Sequence, residues 1–164
     1  MTTPMTAKPL TANAFSQFGQ VIELREIADK VINQGMCNRH HALARLDIAD
    51  GQSGISLFDA KPRSFPYAVE LVERHPLGAQ AFIPMNGVPM LVIVAQDDGG
   101  KPGPLKAFLS SEDQAICLNR NIWHGVLAPM GAQGLYAVVD YVGADENLEE
   151  HWFEDPWIVE PPQR

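Results

Sequence analysis

Apolar and polar residues alternate along much of this chain, as strands with one buried face require. "YAVELVE" (67–73) and "LYAVVDY" (135–141) alternate, and "HALARLDI" (41–48) sets Ala42, Ala44, Leu46 and Ile48 on one face. Shorter apolar runs are "ISLF" (55–58), "AQAFI" (79–83), "MLVIVA" (90–95), "LKAFLS" (105–110) and "AICLN" (115–119). Turn-forming stretches such as "DGQSG", "PMNGVP", "QDDGGKPGP" and "PMGAQG" separate them. Regular short strands with Gly/Pro turns predict an all-β fold, an antiparallel barrel or sandwich.

Helical signals are confined to the ends. "LTANAFSQFG" (10–19) reads as one short helix, with Thr11 as N-cap, a Leu10–Phe15 staple and Gly19 as the stop. The tail "ADENLEEHWFEDPWIVEPPQR" reads as carrying a helical turn before Pro156. Its Trp152, Phe153 and Trp157 must dock on the barrel or on a second subunit, because exposed aromatic clusters mark contacts. Residues 1–164 read as one domain, without an internal repeat or a linker.

Composition narrows the function classes. Net charge is -8 and no basic cluster stands out, which argues against nucleic acid as a partner. Seven acids and no Lys or Arg lie between Asp145 and Glu160: a solvated face, or an acidic flap over a pocket. Cys37 and Cys117 form no C-x-x-C pair, which fits a reducing, cytoplasmic setting. The longest apolar run, Val88 to Ala95, is too short to span a bilayer, so no membrane role is expected.

The polar residues of "ERHPLGAQAFIPMNG" (73–87) hold the chemistry. Glu73 and His75 share a strand face, and a bend at Pro76–Gly78 brings Gln80 round in the next strand. Buried polar groups are costly unless satisfied, so such convergence has a purpose. His124, in "NRNIWHGVLAP", adds a second imidazole from another strand, enough for a metal site or an acid–base pair. Each has a plainer explanation. Glu73 can pair with Arg74 or Arg63, Gln80 can satisfy backbone groups, and Trp123 can simply pack. His40, His41 and His151 are expected to be structural.

The spacing Glu73-x-His75-x4-Gln80-x6-Gly87 resembles the first cupin motif, and His124 matches the histidine of the second. Glu73 stands where that motif has its first histidine and Gln80 where it has glutamate. Asn119 and Asn121 replace the Pro and Gly of the second. More specifically, "ELVERHPLGAQAFIPMNG" and "NRNIWHGVLAP", with "INQGMCNRHHALARLDI", "ISLFDAKPRSFP" and "LKAF", resemble the ureidoglycolate lyase (ureidoglycolate hydrolase) family. The resemblance implies a cupin-like antiparallel β-barrel (a double-stranded β-helix) and a homodimer. It implies release of urea from (S)-ureidoglycolate to leave glyoxylate, in allantoin degradation. It also implies a divalent metal, nickel being the one associated with the family, and no organic cofactor.

That reaction removes a hydroxyl proton and protonates the urea nitrogen, which is acid–base chemistry. His75 and His124 are then metal ligands or the acid–base pair, Glu73 a base or third ligand, and Gln80 a weak ligand or a partner of the ureido group. Lys106 or Arg39 is expected to hold the substrate carboxylate, and Asp140 to orient a histidine or cap a turn. A non-catalytic cupin that senses a small molecule is the alternative, because fold does not fix function. A metal-dependent isomerase or dioxygenase would need a fuller His/His/Glu set.

Overall fold

The computed structural model describes residues 3–164. The N-terminal part supplies β1 (Thr3–Thr6), β2 (Lys8–Pro9), the helical turn α1 (Ala12–Phe15) and β3 (Gly19–Ile22). A hairpin of β4 (Lys30–Ile32) and β5 (Cys37–Arg39) precedes the long strands β6 (Gln52–Ala60) and β7 (Tyr67–Arg74). Then come β8 (Gln80–Pro84), β9 (Met90–Ala95), the ribbon β10 (Asp97–Asp98) and β11 (Lys101–Pro102), and β12 (Lys106–Leu109). The last strands are β13 (Ala115–Leu118), β14 (Trp123–His124), β15 (Ala128–Pro129), β16 (Gly134–Val142) and β17 (Glu149–Glu160).

Two sheets form the body, a cupin-like barrel. The larger runs β1-β17-β7-β14-β9-β12-β2, with β15 also on β9, and the smaller runs β3-β13-β8-β16-β6. Among the described strands, pairing is antiparallel except at the N-terminus; outside them, Arg63 and Met130 form one isolated parallel bridge. At the N-terminus β1 lies parallel to β17 and β2 parallel to β12, at opposite edges of the larger sheet. One short segment thus reaches both edges and curls that sheet almost closed. Sequence alternation says nothing about these two parallel pairings.

The central strand β9 is buried throughout because it serves two cores. Met90, Val92 and Val94 face the space between the sheets, with Phe82, Phe108, Leu118 and Val138. Leu91, Ile93 and Ala95 face the inside of the curled sheet, with Val69, Val72, Trp123 and Val159. A strand buried on both faces reads as a continuous apolar run.

Three expectations change. The helix is shorter than predicted: Thr11 caps it by accepting from the Ala14 N–H at 3.2 Å, but it ends at Phe15. Gly19 is not its stop; it opens β3, where a Cβ would overlap the carbonyl oxygen of Cys117. "HALARLDI" forms no strand, only one bridge from Ile48 to Gly78. Its apolar pattern is real, since Ala44 and Leu46 cover Ala79, Ala81 and Cys117 on the outer face of the smaller sheet. Ala42 has φ 49°, however, which breaks an extended run. The tail has no helical turn; it is β17, with a register shift between Trp152 and Trp157. Phe153 and Trp157 dock on the protein's own barrel, whereas Trp152 remains exposed.

Candidate active site

Strand register brings the polar residues together. Glu73 on β7 pairs directly with His124 on β14, so both side chains leave the sheet on one side. His124 also pairs with Val94, whose side chain lies in the core between the sheets. His75 follows Glu73 by two residues. The result is a group in which one ligand atom each of Glu73, His75 and His124 lies within 4.8 Å of the others. The two imidazoles stand 5.0 Å apart between centroids, and His75 Nε2 is 3.9 Å from a Glu73 oxygen.

Backbone carbonyls set both tautomers. His75 Nδ1 lies 2.7 Å from the carbonyl oxygen of Asn147, and His124 Nδ1 lies 3.0 Å from that of Gly125. A carbonyl only accepts, so each Nδ1 carries the hydrogen and each Nε2 presents a lone pair. Among the described residues, the buried side-chain nitrogen and oxygen atoms without a hydrogen-bond partner are His75 Nε2, His124 Nε2 and Gln80 Oε1. Each such orphan costs about 1–3 kcal/mol. All three are lone pairs waiting for a cation or a donor.

The electrostatics match. His124 is 3% exposed, and burial, helped by the neighbouring His75, pushes its pKa down to about 3. It is a neutral imidazole, the form that binds metals. Burial raises the Glu73 carboxyl above its ordinary range; His75 opposes that rise and Glu150, across the ladder, adds to it. The Glu73 carboxyl therefore holds a proton more readily than an exposed carboxylate does. Beside His124, a cavity of about 20 Å³ runs between Phe82, Val92, Leu118 and Leu127, room for about one water.

Two uncoordinated Nε2 atoms and a carboxylate, with carbonyls holding the far ring nitrogens, fit a divalent metal. The family model described as ureidoglycolate lyase matches residues 2–160 of this chain.

The chain belongs to the ureidoglycolate lyase family.

A ureidoglycolate lyase of Rhodobacter capsulatus is 54% identical over 154 residues, covering 93% of this chain and 96% of that protein. One from Rhizobium etli is 45% identical over 158 residues, covering 94% and 95%. Among solved structures, RmlC from Streptococcus suis in complex with dTDP-D-xylose matches 57% of this chain and 45% of that chain, at 12% identity and a TM-score of 0.40.

Within this member of the ureidoglycolate lyase family, the other expected residues come from several elements. Gln80 is buried at the start of β8, in the smaller sheet, and its Nε2 donates to Asp140 at 3.0 Å. Asp140 therefore holds an amide, not a histidine. Lys106 is exposed, its Nζ 5.5 Å from the Phe18 ring centre, and Arg39 is exposed at the end of the β4–β5 hairpin. By register both Lys106 and His124 pair with Val94, so Lys106 leaves the larger sheet on the same side as His124, whereas Arg39 belongs to the separate β4–β5 ribbon. Glu73 does not pair with Arg74, which binds Asp97 and Glu149 instead, and Arg63 lies over Tyr67. Trp123 packs, its indole donating to Asp97. His151 meets the Trp123 and Phe153 rings edge to face.

Three anchoring roles escaped the sequence reading. Asn147 fixes His75 through its carbonyl and accepts the Leu77 N–H at its side chain. Arg120 donates twice to the Pro76 carbonyl. Asn121, at φ 66°, donates its N–H to the His75 carbonyl. The signal for Asn121 was present: asparagine tolerates the left-handed region, so it can stand where the cupin motif has glycine.

Proposed function

We propose that this protein is a ureidoglycolate lyase that releases urea from (S)-ureidoglycolate and leaves glyoxylate, the 164 residues acting as one domain. The observation that carries this reading is the trio of buried, unpartnered lone pairs on His75, His124 and Gln80, in a chain with family-wide similarity. Full-length similarity to proteins named for the activity favours an enzyme over a small-molecule sensor.

The residues divide the work. Ureidoglycolate carries a hydroxyl and a ureido nitrogen on one carbon. Cleaving that C–N bond moves one proton from the oxygen to the departing nitrogen, with no net proton change and no redox. Glu73, beside both imidazoles, takes the hydroxyl proton and returns it to the urea nitrogen. His75 Nε2, His124 Nε2 and the Glu73 carboxylate would hold a divalent metal. An ion held there would supply Lewis acidity, lowering the pKa of the substrate hydroxyl and balancing the charge of its carboxylate. Nickel suits two imidazoles and a carboxylate, as do other first-row ions. Gln80 offers its Oε1 to the ureido N–H groups.

A homodimer in the cytoplasm completes the reading. Strand β6 is an edge strand of the smaller sheet and exposes Ile55 and Leu57, at 78% and 62%, as an interface would. Both cysteines are free, consistent with a reducing compartment.

The deciding assay follows urea and ammonia together from (S)-ureidoglycolate. Elimination gives urea; hydrolysis of the amide gives ammonia and carbon dioxide. His75→Ala should lower urea release by about 10²–10⁴-fold with its circular dichroism unchanged. Ammonia as the product, or no turnover by the metal-loaded protein, would overturn the lyase assignment.

A further inference from the structure

We propose that Asp140 is a positioning residue: it fixes which end of the Gln80 amide faces the barrel interior, and so selects a ligand group that carries N–H bonds. The inference rests on the ureidoglycolate reading above.

The ladder places the pair. Val138 on β16 pairs with Phe82 on β8, and both side chains lie in the core between the sheets. Two residues further along each strand, on that same face, stand Asp140 and Gln80. Gln80 is 5% exposed. Its Nε2 donates to Asp140 Oδ2 at 3.0 Å, while its Oε1 is buried without a partner.

The polarity of the amide follows from chemistry. A carboxylate oxygen only accepts, so the NH2 end of Gln80 turns toward Asp140. The carbonyl oxygen is then the end left for a ligand. Without Asp140 the amide could rotate by half a turn and present its donors instead, at little cost. Held as it is, Oε1 welcomes an N–H and repels a carboxylate oxygen, whose lone pairs would face its own. The ureido end of ureidoglycolate carries N–H bonds and the other end a carboxylate. The Asp140–Gln80 pair therefore sets the direction in which the substrate lies, as well as its class.

Two small acids test this. N-carbamoylglycine keeps the carboxylate and the ureido group; N-acetylglycine replaces the terminal amine by a methyl of similar size. Titration calorimetry on the full-length protein reads both affinities. Wild type should prefer N-carbamoylglycine by about tenfold, the worth of one buried hydrogen bond. Asp140→Leu should bring the two within about threefold of each other, while N-acetylglycine still binds within about threefold of its wild-type affinity. Asp140→Asn, with one acceptor and one donor, should fall between. A change that only loosens the fold weakens both ligands together and leaves the preference intact. If the leucine variant does not fold, the asparagine variant carries the test. An undiminished preference in the variants, or no preference in wild type, overturns the inference. Urea release is assayed separately: its absence sinks the lyase reading, whereas the binding preference judges Asp140 alone.

Discussion

His124→Leu should make the metal-free protein more stable while abolishing urea release. The His124 ring is almost fully buried and its Nε2 has no hydrogen-bond partner. Near neutral pH it is uncharged, so the cost is that of an unpaired polar atom, about 1–3 kcal/mol. Leucine removes that cost and joins an apolar lining of Phe82, Val92, Leu118 and Leu127. Against it stands the lost Nδ1 bond to the Gly125 carbonyl, worth about 1 kcal/mol. The balance is a gain of about 1 kcal/mol, which for a chain of this size raises the melting temperature by about 2–4 °C. Differential scanning calorimetry in excess chelator measures it. With a divalent metal at about a hundred times its Kd the order should reverse, because wild type gains about 2.7 kcal/mol by binding and the variant has lost a ligand. A metal-free variant that melts more than about 3 °C below wild type would refute the reasoning, since His124 would then be a satisfied core residue.

Two further perturbations probe the scaffold. Gly19→Ala should destabilise by about 3 kcal/mol in urea unfolding, because the new Cβ meets the Cys117 backbone; an alanine tolerated there would mean β3 does not approach β13 as described. Tyr136→Phe should cost about 1–2 kcal/mol near neutral pH, as the fully buried hydroxyl donates to the Val88 carbonyl at 2.7 Å. The same variant has a signature in alkali. Burial pushes the Tyr136 phenol up to about 12, whereas an unfolded tyrosine ionises near ~10. The folded state keeps a proton that the unfolded state gives up, so this contribution is intact below ~10 and is lost as pH rises toward ~12, by up to about 2.7 kcal/mol. The gap between wild type and Tyr136→Phe should therefore close and then reverse across that range; a gap constant with pH contradicts the assignment.

Alternation predicted the central strands well because their patterns follow burial on named faces. "YAVELVE" and "LYAVVDY" are β7 and most of β16, where one-sided packing writes a period of two. "HALARLDI" shows the limit of that logic. Ala44 and Leu46 do cover a small core, but the backbone around Ala42 cannot join a ladder. Alternation reports which side chains are covered and is silent on where the N–H and C=O groups go. The tail failed for the opposite reason. Pro156 reads as a breaker, yet it sits within the stretch of β17 between its two registers with β7, where a ladder hydrogen bond is not required. Asn147 was invisible because its decisive group is a backbone carbonyl, which any residue offers.

The two departures from the cupin pattern compensate one another in physical terms. With glutamate at 73 and glutamine at 80, the group still has one carboxylate beside its imidazoles, but the charge has moved from β8 to β7, directly across the ladder from His124. A second carboxylate at position 80 would stand against Asp140, and two like charges in an apolar interior are costly. The amide avoids that clash, uses Asp140 as its anchor, and leaves a neutral acceptor on the interior side. In the proposed reading, that uncharged lone pair would take an N–H of the ureido group. Two ligands of the cupin pattern are missing from the sequence, and the register of β7, β8, β14 and β16 supports the proposed division between proton chemistry at Glu73 and recognition at Gln80.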